Sequence, residues 1–540
     1  MLFNSFEFIF LFLPISLALF YVLGRSNKNF GLYSIIIVST FFYAYWRPIN
    51  TLLIGPSILI NYVIVRLLLR FDERRPKASS ALFWTGIVFN LCFLGYFKYR
   101  DFGMQISNDV FGTSFVFDKL ILPLGISFIT FQKIGLLVDV RAGRVSKVNL
   151  REYLLFVLFF PQLIAGPIVH FREVMPQFEK LRVKLTSENV VVGLALFFSG
   201  LFKKVLLADP LSNLIAPIWH GAATGAHPPL IQAWAAGLGY MIRLYFDFSG
   251  YSDMAIGAAR LFGIVLPYNF DSPLKAASVI DYWSRWHVTL TRFLTAYIFS
   301  PLSLALTRKR IAKKLPVVAG HKTTFPAFIQ LMAYPTMVTM MLSGLWHGAG
   351  YQFLVFGGLH GVALVINHAW RLRKPAWWPT AGGLGRMTLF GSWLVTFLFV
   401  VCVEVFFYAP SVGVAVNILA GMAGQHGLTL PLAEAHRVAP VLAKVGVHVG
   451  PAFESGTAFI QVWALILLGL VVMLGLPNNY ELMAAHNPAL GFKPRPNARR
   501  GWLSGLTWRP SAGWAIGSGA LAAFGILTLG QLSDFLYWHF

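Results

Sequence analysis

The chemistry in this sequence is concentrated in residues 341–361, MLSGLWHGAGYQFLVFGGLHG, an apolar stretch that carries two imidazoles, His347 and His360. An imidazole has an unperturbed pKa of about 6.5, so it can take and return a proton near neutrality. Small residues surround both histidines: Ser343, Gly344, Gly348, Ala349, Gly350, Gly357, Gly358 and Gly361. Polar side chains at membrane depth are costly and need a partner or a task. Glycines let backbone or ligand come close. Two readings stay open on these residues. One is a histidine at the bottom of a narrow cavity between helices. The other is a helix–helix contact in which the imidazole bonds a neighbouring carbonyl.

A second stretch, 264–301, begins with irregular backbone at Pro267, Asn269, Asp271 and Pro273. An amphipathic helix is then expected from about Val279. In it Trp283, Trp286 and Phe293 interleave with Arg285, His287 and Arg292. Aromatics with arginines suit an interfacial helix. They also suit a groove that grips a phosphate-bearing cofactor, since guanidinium pairs bidentately with phosphate. Elsewhere, Arg243 and Asp247 are four residues apart and are expected to pair on one helix face, with Asp253 and Arg260 as further ion-pair partners. Lys133, mid-segment beside Gln132, is expected to snorkel, to pair with a carboxylate or to line a cavity.

These groups must be held by membrane helices. The chain is 57% hydrophobic and 12% charged over 540 residues, with a mean hydropathy of +0.65. Soluble domains are about 25% charged. The formal net charge of +23 would suggest nucleic acid in a soluble protein. Here the cations fall in short runs between apolar segments, which is the positive-inside pattern. Cys92 and Cys402 both stand in apolar stretches and read as two buried thiols without a disulfide. Residues 5–24 form an apolar run of spanning length without a basic leader or cleavage site, so a span is expected there and not a signal peptide.

Spans are expected at 5–24, 30–46, 50–70 and 80–97, with 98–118 as an extracytoplasmic loop. Residues 119–140 cross back. Residues 152–170, broken by Pro161, Gly166 and Pro167 between two basic loops, read as a re-entrant hairpin. Residues 188–209 and 229–249 cross, with 212–228 as an outer loop. The basic run 308–322 fixes the cytoplasmic side. Residues 324–346 and 350–370 then form a pair with His347 at or near their turn. Residues 388–409 carry Glu404 within the span, and the loop 410–457 holds Arg437 and Lys444 as its cations. Residues 458–476 come in, 477–512 are basic, and 513–534 end outside. Both termini are therefore expected outside the cytoplasm. The divisions expected are a core at 1–409, an extracytoplasmic region at 410–457 and C-terminal helices at 458–540.

Several segments together carry a resemblance. They are PLGISFITFQKIGLLVDV at 123–140, FFPQLIAGPIVHFREVMPQ at 159–177, FKKVLLADP at 202–210, YFDFSGYSDMAIGAARLFGI at 245–264, DYWSRWH at 281–287 and GLWHGAGYQFLVFGGLHG at 344–361. In this order they resemble the membrane-bound O-acyltransferase family, and within it the type that O-acetylates alginate and related bacterial polysaccharides. The pattern departs at 293–304, where Thr295 and Ala296 stand in place of an Arg-Asp pair, and Ser303 and Leu304 in place of glycines.

The resemblance implies an all-α polytopic membrane protein of about 11–13 spans, plus re-entrant segments. These would ring a thinned centre, with funnels from both faces meeting at a histidine. It places the family's near-invariant histidine on His347 and its second histidine on His287. Neutral His347 would be the general base that takes a proton from an acceptor hydroxyl attacking an acyl carbonyl. His287 would orient the thioester or stabilise the oxyanion. Arg285 and Trp286 would line the cytoplasmic donor path, and Trp346 would wall the pocket beside His347. Trp283, Asn269, Ser343 and His360 complete the expected channel. For His360 a hydrogen-bonded packing role stands beside that one.

The function so implied is acetyl transfer from a cytosolic donor, acetyl-CoA, across the bacterial inner membrane to an exported polysaccharide of the alginate or cellulose type. No permanently bound cofactor and no metal are expected. The expected partners are that polysaccharide, a periplasmic acetyltransferase, a polysaccharide synthase complex and the lipid bilayer, and not nucleic acid. D-alanyl transfer to teichoic acid and bond-free transport of an acyl donor are the alternatives. Broken spans with midplane polar groups also suit a transporter.

Overall fold

Hydrophobic runs of spanning length become helices because in lipid only internal hydrogen bonds can satisfy the backbone. The computed structural model of the chain describes residues 1–71, 75–116, 120, 122–375, 377–430, 447–449, 456–495 and 506–529. In chain order its main helices are α1 (Glu7–Ser26), α2 (Lys28–Trp46), α3 (Pro48–Phe71), α4 (Pro76–Phe111), α5 (Ile126–Arg141), α6 (Leu150–Leu158), α7 (Phe171–Lys180) and α8 (Ser187–Ala223). There follow α9 (Leu230–Leu261), α10 (Val279–Trp283), α11 (Val288–Ala312), α12 (Phe325–His347), α13 (Tyr351–Arg373), α14 (Gly382–Tyr408), α15 (Val412–Met422), α16 (Gly456–Gly475) and α17 (Ala512–Leu527).

Among the described residues, nine helices are long and apolar enough to cross a membrane: α1, α3, α4, α8, α11, α12, α13, α14 and α16. This is fewer than the eleven to thirteen expected. Two further helices, α2 with 19 residues and α9 with 32, are long but are not among the nine. α9 carries Arg243, Asp247, Asp253 and Arg260, all of them buried. The chain is a polytopic, essentially all-α membrane protein. The strand pairing described is a parallel pair, Leu428–Leu430 with Val447–Val449.

Several expected loops are helical. Residues 98–118 were expected as a loop, but α4 runs on to Phe111, and Gly112 then ends it in the left-handed region at φ +65°. The expected outer loop 212–228 is helical as far as Ala223. Polar residues in these stretches cover helix surface and do not break it. In contrast, 159–170 is interrupted at Phe159 and again from Ile164 through Gly166 and Pro167, with Pro161 in the first turn of the short helix Phe160–Leu163 between the breaks, and it is buried throughout. Arg437, Lys444 and residues 530–534 lie outside the described residues, as do parts of the basic loops at 72–74 and 496–505.

Small residues set the closest helix crossings, as in other membrane bundles. A Cβ on Gly200 of α8 would lie 2.4 Å from the Gly250 carbonyl of α9, and one on Gly257 would lie 2.5 Å from the Gly193 carbonyl. α12 and α13 cross in the same way: a Cβ on Gly344 would lie 2.1 Å from the Phe353 carbonyl oxygen.

The buried ions pair differently from their sequence spacing. Asp247 is held by Lys204 of α8 at 2.7 Å, and the same ammonium holds Asp209 at 2.6 Å. Arg243 instead lies over the Tyr408 ring, 5.5 Å from its centroid, and donates to the phenol oxygen at 3.3 Å. Lys203 pairs with Asp253 at 2.6 Å, and Tyr480 and Asn479 also donate to that carboxylate. Lys133 is buried, but its partner is a hydroxyl, Ser57 Oγ at 2.6 Å, beneath the Phe93 ring. Both cysteines are free, as expected. Cys92 is exposed and Cys402 half-buried, so neither is the buried thiol the sequence implied.

Candidate active site

The site is built from three pieces of chain. α12 ends on His347, and Gly348 leaves it in an extended conformation. α13 begins at Tyr351 and carries His360 two and a half turns on. The third piece is the connection 267–288. The single amphipathic helix expected from Val279 is in fact two, α10 and α11, broken at Ser284–His287. His287 itself occupies the left-handed region at φ +41°. A non-glycine residue there is uncommon and is held by its surroundings. The break is pinned to the irregular 269–271 segment by Asp271 N–H to Arg285 O at 3.0 Å and Val288 N–H to Asn269 O at 2.9 Å.

The three histidines are buried at 3% (His347), 0% (His287) and 0% (His360) exposure. Trp346 links the first two: its ring centroid lies 4.8 Å from that of His347 and 6.1 Å from that of His287. Phe356 and Phe407 join His347 to His360. Phe407 is 4.9 Å and Phe356 6.2 Å from His347, and Phe356 is 4.7 Å from His360. The ionisable neighbours of His347 are His287, Lys98 and His360.

Hydrogen bonds fix the tautomers. His287 Nδ1 meets Asn269 Oδ1 at 3.2 Å. An amide oxygen only accepts, so Nδ1 carries the hydrogen and Nε2 presents a lone pair. Asn269 is itself oriented, accepting from Thr289 Oγ1 at 2.5 Å and donating to Ser252 Oγ at 3.1 Å. His360 is the converse. Trp283 Nε1–H donates to its Nδ1 at 3.2 Å, so Nε2 carries the hydrogen. On α12 and α13 beside the histidines, three buried donor groups have no hydrogen-bond partner among the described residues: His360 Nε2, Trp346 Nε1 and Ser343 Oγ. Buried polar groups are normally satisfied, so these three are available as donors to a bound group. Glu404 accepts from Tyr282 OH at 3.4 Å, and the Tyr282 ring lies parallel to that of His360 with centroids 6.2 Å apart.

Cavities reach this cluster. One of about 70 Å³ is walled by His347, Trp346, Ser127 and Lys98. A second, of about 710 Å³, opens past Gly348 and Ala349, between Asp101, Gln105, Gln352 and Phe407. A third, of about 270 Å³ and largely apolar, lies against Trp283, Thr339, Met340, Leu364 and His368. The second and third meet α13 toward opposite ends, at Gln352 and at His368, with His360 between.

The structure therefore brings together His347, His287, Trp283, Asn269, Trp346 and His360, with Ser343 one turn before His347 on α12. Trp286 is buried against Phe270 and Tyr282. Arg285 stands apart, half-buried. It bonds Asp281 at 2.9 Å, within a network in which Arg495 holds Asp271 at 2.6 Å and Asp281 at 3.1 Å. Burial works against the Arg495 charge, but its hydrogen bond to Asp271 and the two carboxylates outweigh it and hold the guanidinium above its ordinary pKa.

Sequence reasoning missed Lys98. Its Nζ donates to Trp346 O at 2.5 Å and lies 3.4 Å from His347 O. The available signal was a lysine between aromatics, YFKY, in an otherwise apolar run. Arg100 and Asp101 close by made that stretch resemble a loop.

The comparisons with known proteins agree on one relationship. A sequence model of the membrane-bound O-acyltransferase family matches residues 22–317, which include His287 and end before His347. The chain is 37% identical over 460 residues to a peptidoglycan O-acetyltransferase of Helicobacter pylori, covering 80% of this chain and 81% of that protein. It is 35% identical over 428 residues to a Pseudomonas aeruginosa protein named "probable alginate O-acetylase AlgI", covering 77% and 73%. A teichoic acid D-alanyltransferase of Streptococcus thermophilus is 27% identical over 378 residues, covering 69% and 84%.

Proposed function

The chain belongs to the membrane-bound O-acyltransferase family, and from that premise we propose that it draws acetyl groups from acetyl-CoA in the cytosol, with His347 as general base, and delivers them to a glycan outside the inner membrane. It is an O-acyltransferase that moves an acyl group across a membrane for polysaccharide O-acetylation.

The observation that carries it is the place of His347. It stands at the end of α12 on the wall of the 70 Å³ cavity, next to Gly348 on the wall of the 710 Å³ cavity, and the apolar cavity lies against Met340 two turns earlier on the same helix. Arg371 and Arg373 follow His368, and the basic run 308–322 has the cytoplasmic sign, so the thioester enters on the Trp283–His368 side. The acceptor hydroxyl comes from the Gln352 side. His347 takes the hydroxyl proton as the oxygen attacks the thioester carbonyl. The C–S bond then breaks, and the proton passes from the imidazolium to the departing thiolate.

The tautomers divide the remaining roles. The oxyanion goes to groups that carry hydrogens: His360 Nε2–H, Trp346 Nε1–H and Ser343 Oγ–H. His287 presents a lone pair and accepts from a neighbouring hydroxyl of the same sugar, not from the attacking one whose proton goes to His347, in place of the thioester-orienting or oxyanion role that the resemblance implied. The acceptor polymer is a cell-envelope glycan of the peptidoglycan or alginate type, after the relatives at 37% and 35% identity. Cellulose has no such support. A periplasmic acetyltransferase and a synthase complex are the partners that would receive and use the acetyl group.

Proteoliposomes holding the purified protein and labelled acetyl-CoA test this. Wild type releases free CoA and labels an acceptor glycan, and His347→Ala, folded to the same extent, does neither. Wild-type transfer by His347→Ala sinks the base assignment. Intact labelled acetyl-CoA crossing the vesicle without release of CoA would mark a transporter.

A further inference from the structure

The last carbonyls of any helix lack partners within it. At the end of α12 these are the carbonyls beside the reacting imidazole, and α4 supplies their donors. Tyr99 OH donates to Leu345 O at 2.9 Å. Lys98 Nζ donates to Trp346 O at 2.5 Å and approaches His347 O at 3.4 Å. The same ammonium is 3.4 Å from Ser127 Oγ, at the start of α5. Both side chains project from one π-helical turn, Gly95–Tyr99. Such a turn inserts a residue and re-aims the side chains around it, often at functional sites. A cation at a helix C-terminus also opposes the negative end of the helix dipole.

Lys98 occupies a particular place as well. It lines the 70 Å³ cavity together with His347, and it lines the 710 Å³ cavity on the far side of Gly348. Among the described residues Leu122, which is apolar, is the other one that lines both. The ammonium therefore stands where the two spaces meet, bonded to the backbone of the residue before His347.

We propose that Lys98 is a positioning residue for acyl transfer: standing where the two cavities meet and clamped on the Trp346 and His347 carbonyls, it fixes the His347 imidazole on the wall of the smaller one. The inference rests on the reading of His347 as the base. The imidazole's attitude, and not donor binding, depends on this lysine. A misplacement of about 1 Å in a reacting group can cost on the order of 10²-fold in rate.

The test compares Lys98→Met, Lys98→Arg, Tyr99→Phe and His347→Ala in proteoliposomes. Lys98→Met is expected to lower kcat about 10²-fold with the KM for acetyl-CoA unchanged. Lys98→Arg should fall between it and wild type, because a cation still faces the carbonyls. A readout free of the reaction is modification of His347 by diethyl pyrocarbonate, followed by peptide mass spectrometry without donor. It should proceed several-fold faster in Lys98→Met. Wild-type kcat and wild-type modification rate in Lys98→Met overturn the proposal, and so does a raised KM with no rescue by arginine. If Lys98→Met does not accumulate folded, Lys98→Arg and Tyr99→Phe decide: a wild-type kcat in both overturns it. An active His347→Ala would remove the base reading, and the modification rates would still report the clamp.

Discussion

Trp283 Nε1–H points at Nδ1 of His360 across 3.2 Å, linking the short helix α10 to the middle of α13. That bond decides which nitrogen of His360 can donate toward the site. His360→Ala removes the donor and is expected to lower kcat by roughly 10²-fold, the usual cost of one oxyanion donor. His360→Gln restores an N–H and should recover part of that loss. Trp283→Phe frees the ring to take either tautomer and should lower kcat by a smaller factor than His360→Ala. Single-turnover transfer from labelled acetyl-CoA measures all three. Equal rates for His360→Ala and wild type would leave His360 a packing residue.

His287 gives the complementary case. Its tautomer is set by Asn269, which is in turn held by Thr289 and Ser252. Asn269→Ala removes the acceptor that keeps the hydrogen on Nδ1. A catalytic histidine in the wrong tautomer can lose up to about 10⁴ in kcat, and Asn269→Ala is expected to lose at least about 10-fold of that. Thr289→Ala leaves the Asn269–His287 bond in place and should lose less. The order of the two rates, measured at matched protein levels, is the check. An Asn269→Ala enzyme as fast as Thr289→Ala contradicts the tautomer argument.

Much of this site was legible in the sequence. Imidazoles set among glycines in an apolar run mark close packing around a polar group, and the structure puts His347 at the end of α12, where the turn was expected. What sequence could not supply was tertiary. The spacing of Arg243 and Asp247 satisfies the helical rule, but Lys204 from α8 reaches that carboxylate at 2.7 Å in a buried place. The break at 284–287 depends on Asn269 and Asp271 bonding across it, which no local propensity of a Trp- and Arg-rich segment reveals. Cys92 shows the limit of hydropathy in a membrane chain: lipid and protein interior are both apolar, so an apolar run does not say which of them a side chain faces. Lys98 was hidden for a related reason, since a charge in such a run reads as a helix end until its carbonyl partners are known.

Lys204 makes a prediction about stability. Its ammonium is 2.6 Å from Asp209 and 2.7 Å from Asp247, and all three side chains are buried. Lys204→Met leaves two carboxylates without their cation. Breaking a buried ion pair from one side costs about 3–5 kcal/mol. Lys204→Met should therefore unfold at lower temperature in detergent and accumulate poorly. Adding Asp209→Asn and Asp247→Asn should return part of the stability by removing the stranded charges. The protein that does fold should keep the wild-type KM for the donor, because these groups hold α8 against α9 and line none of the three cavities described. A Lys204→Met melting temperature equal to wild type would contradict the buried-triad account.

The α12–α13 crossing gives a prediction with its own control. A methyl on Gly344 would sit 2.1 Å from the Phe353 carbonyl oxygen, and one on Gly357 would sit 2.4 Å from the Met340 carbonyl oxygen. Backbone cannot yield as a side-chain tip can, so Gly344→Ala must push the helices apart. Gly344 is three residues before His347, so that displacement moves the imidazole and its aromatic neighbours Phe356 and Phe407. On Gly358 the nearest atom to a new Cβ is Met341 Sδ at 3.4 Å, an ordinary contact with a flexible side chain. Gly358→Ala should cost no more than about 0.5 kcal/mol, the range of substitutions away from packed features. Gly344→Ala should cost several times that, about 2 kcal/mol or more, and should lose acetyl transfer even in the folded fraction. Thermal unfolding and transfer rate, measured on both variants, separate the two effects. A Gly344→Ala protein as stable and as active as Gly358→Ala would mean that the helices do not meet at this glycine.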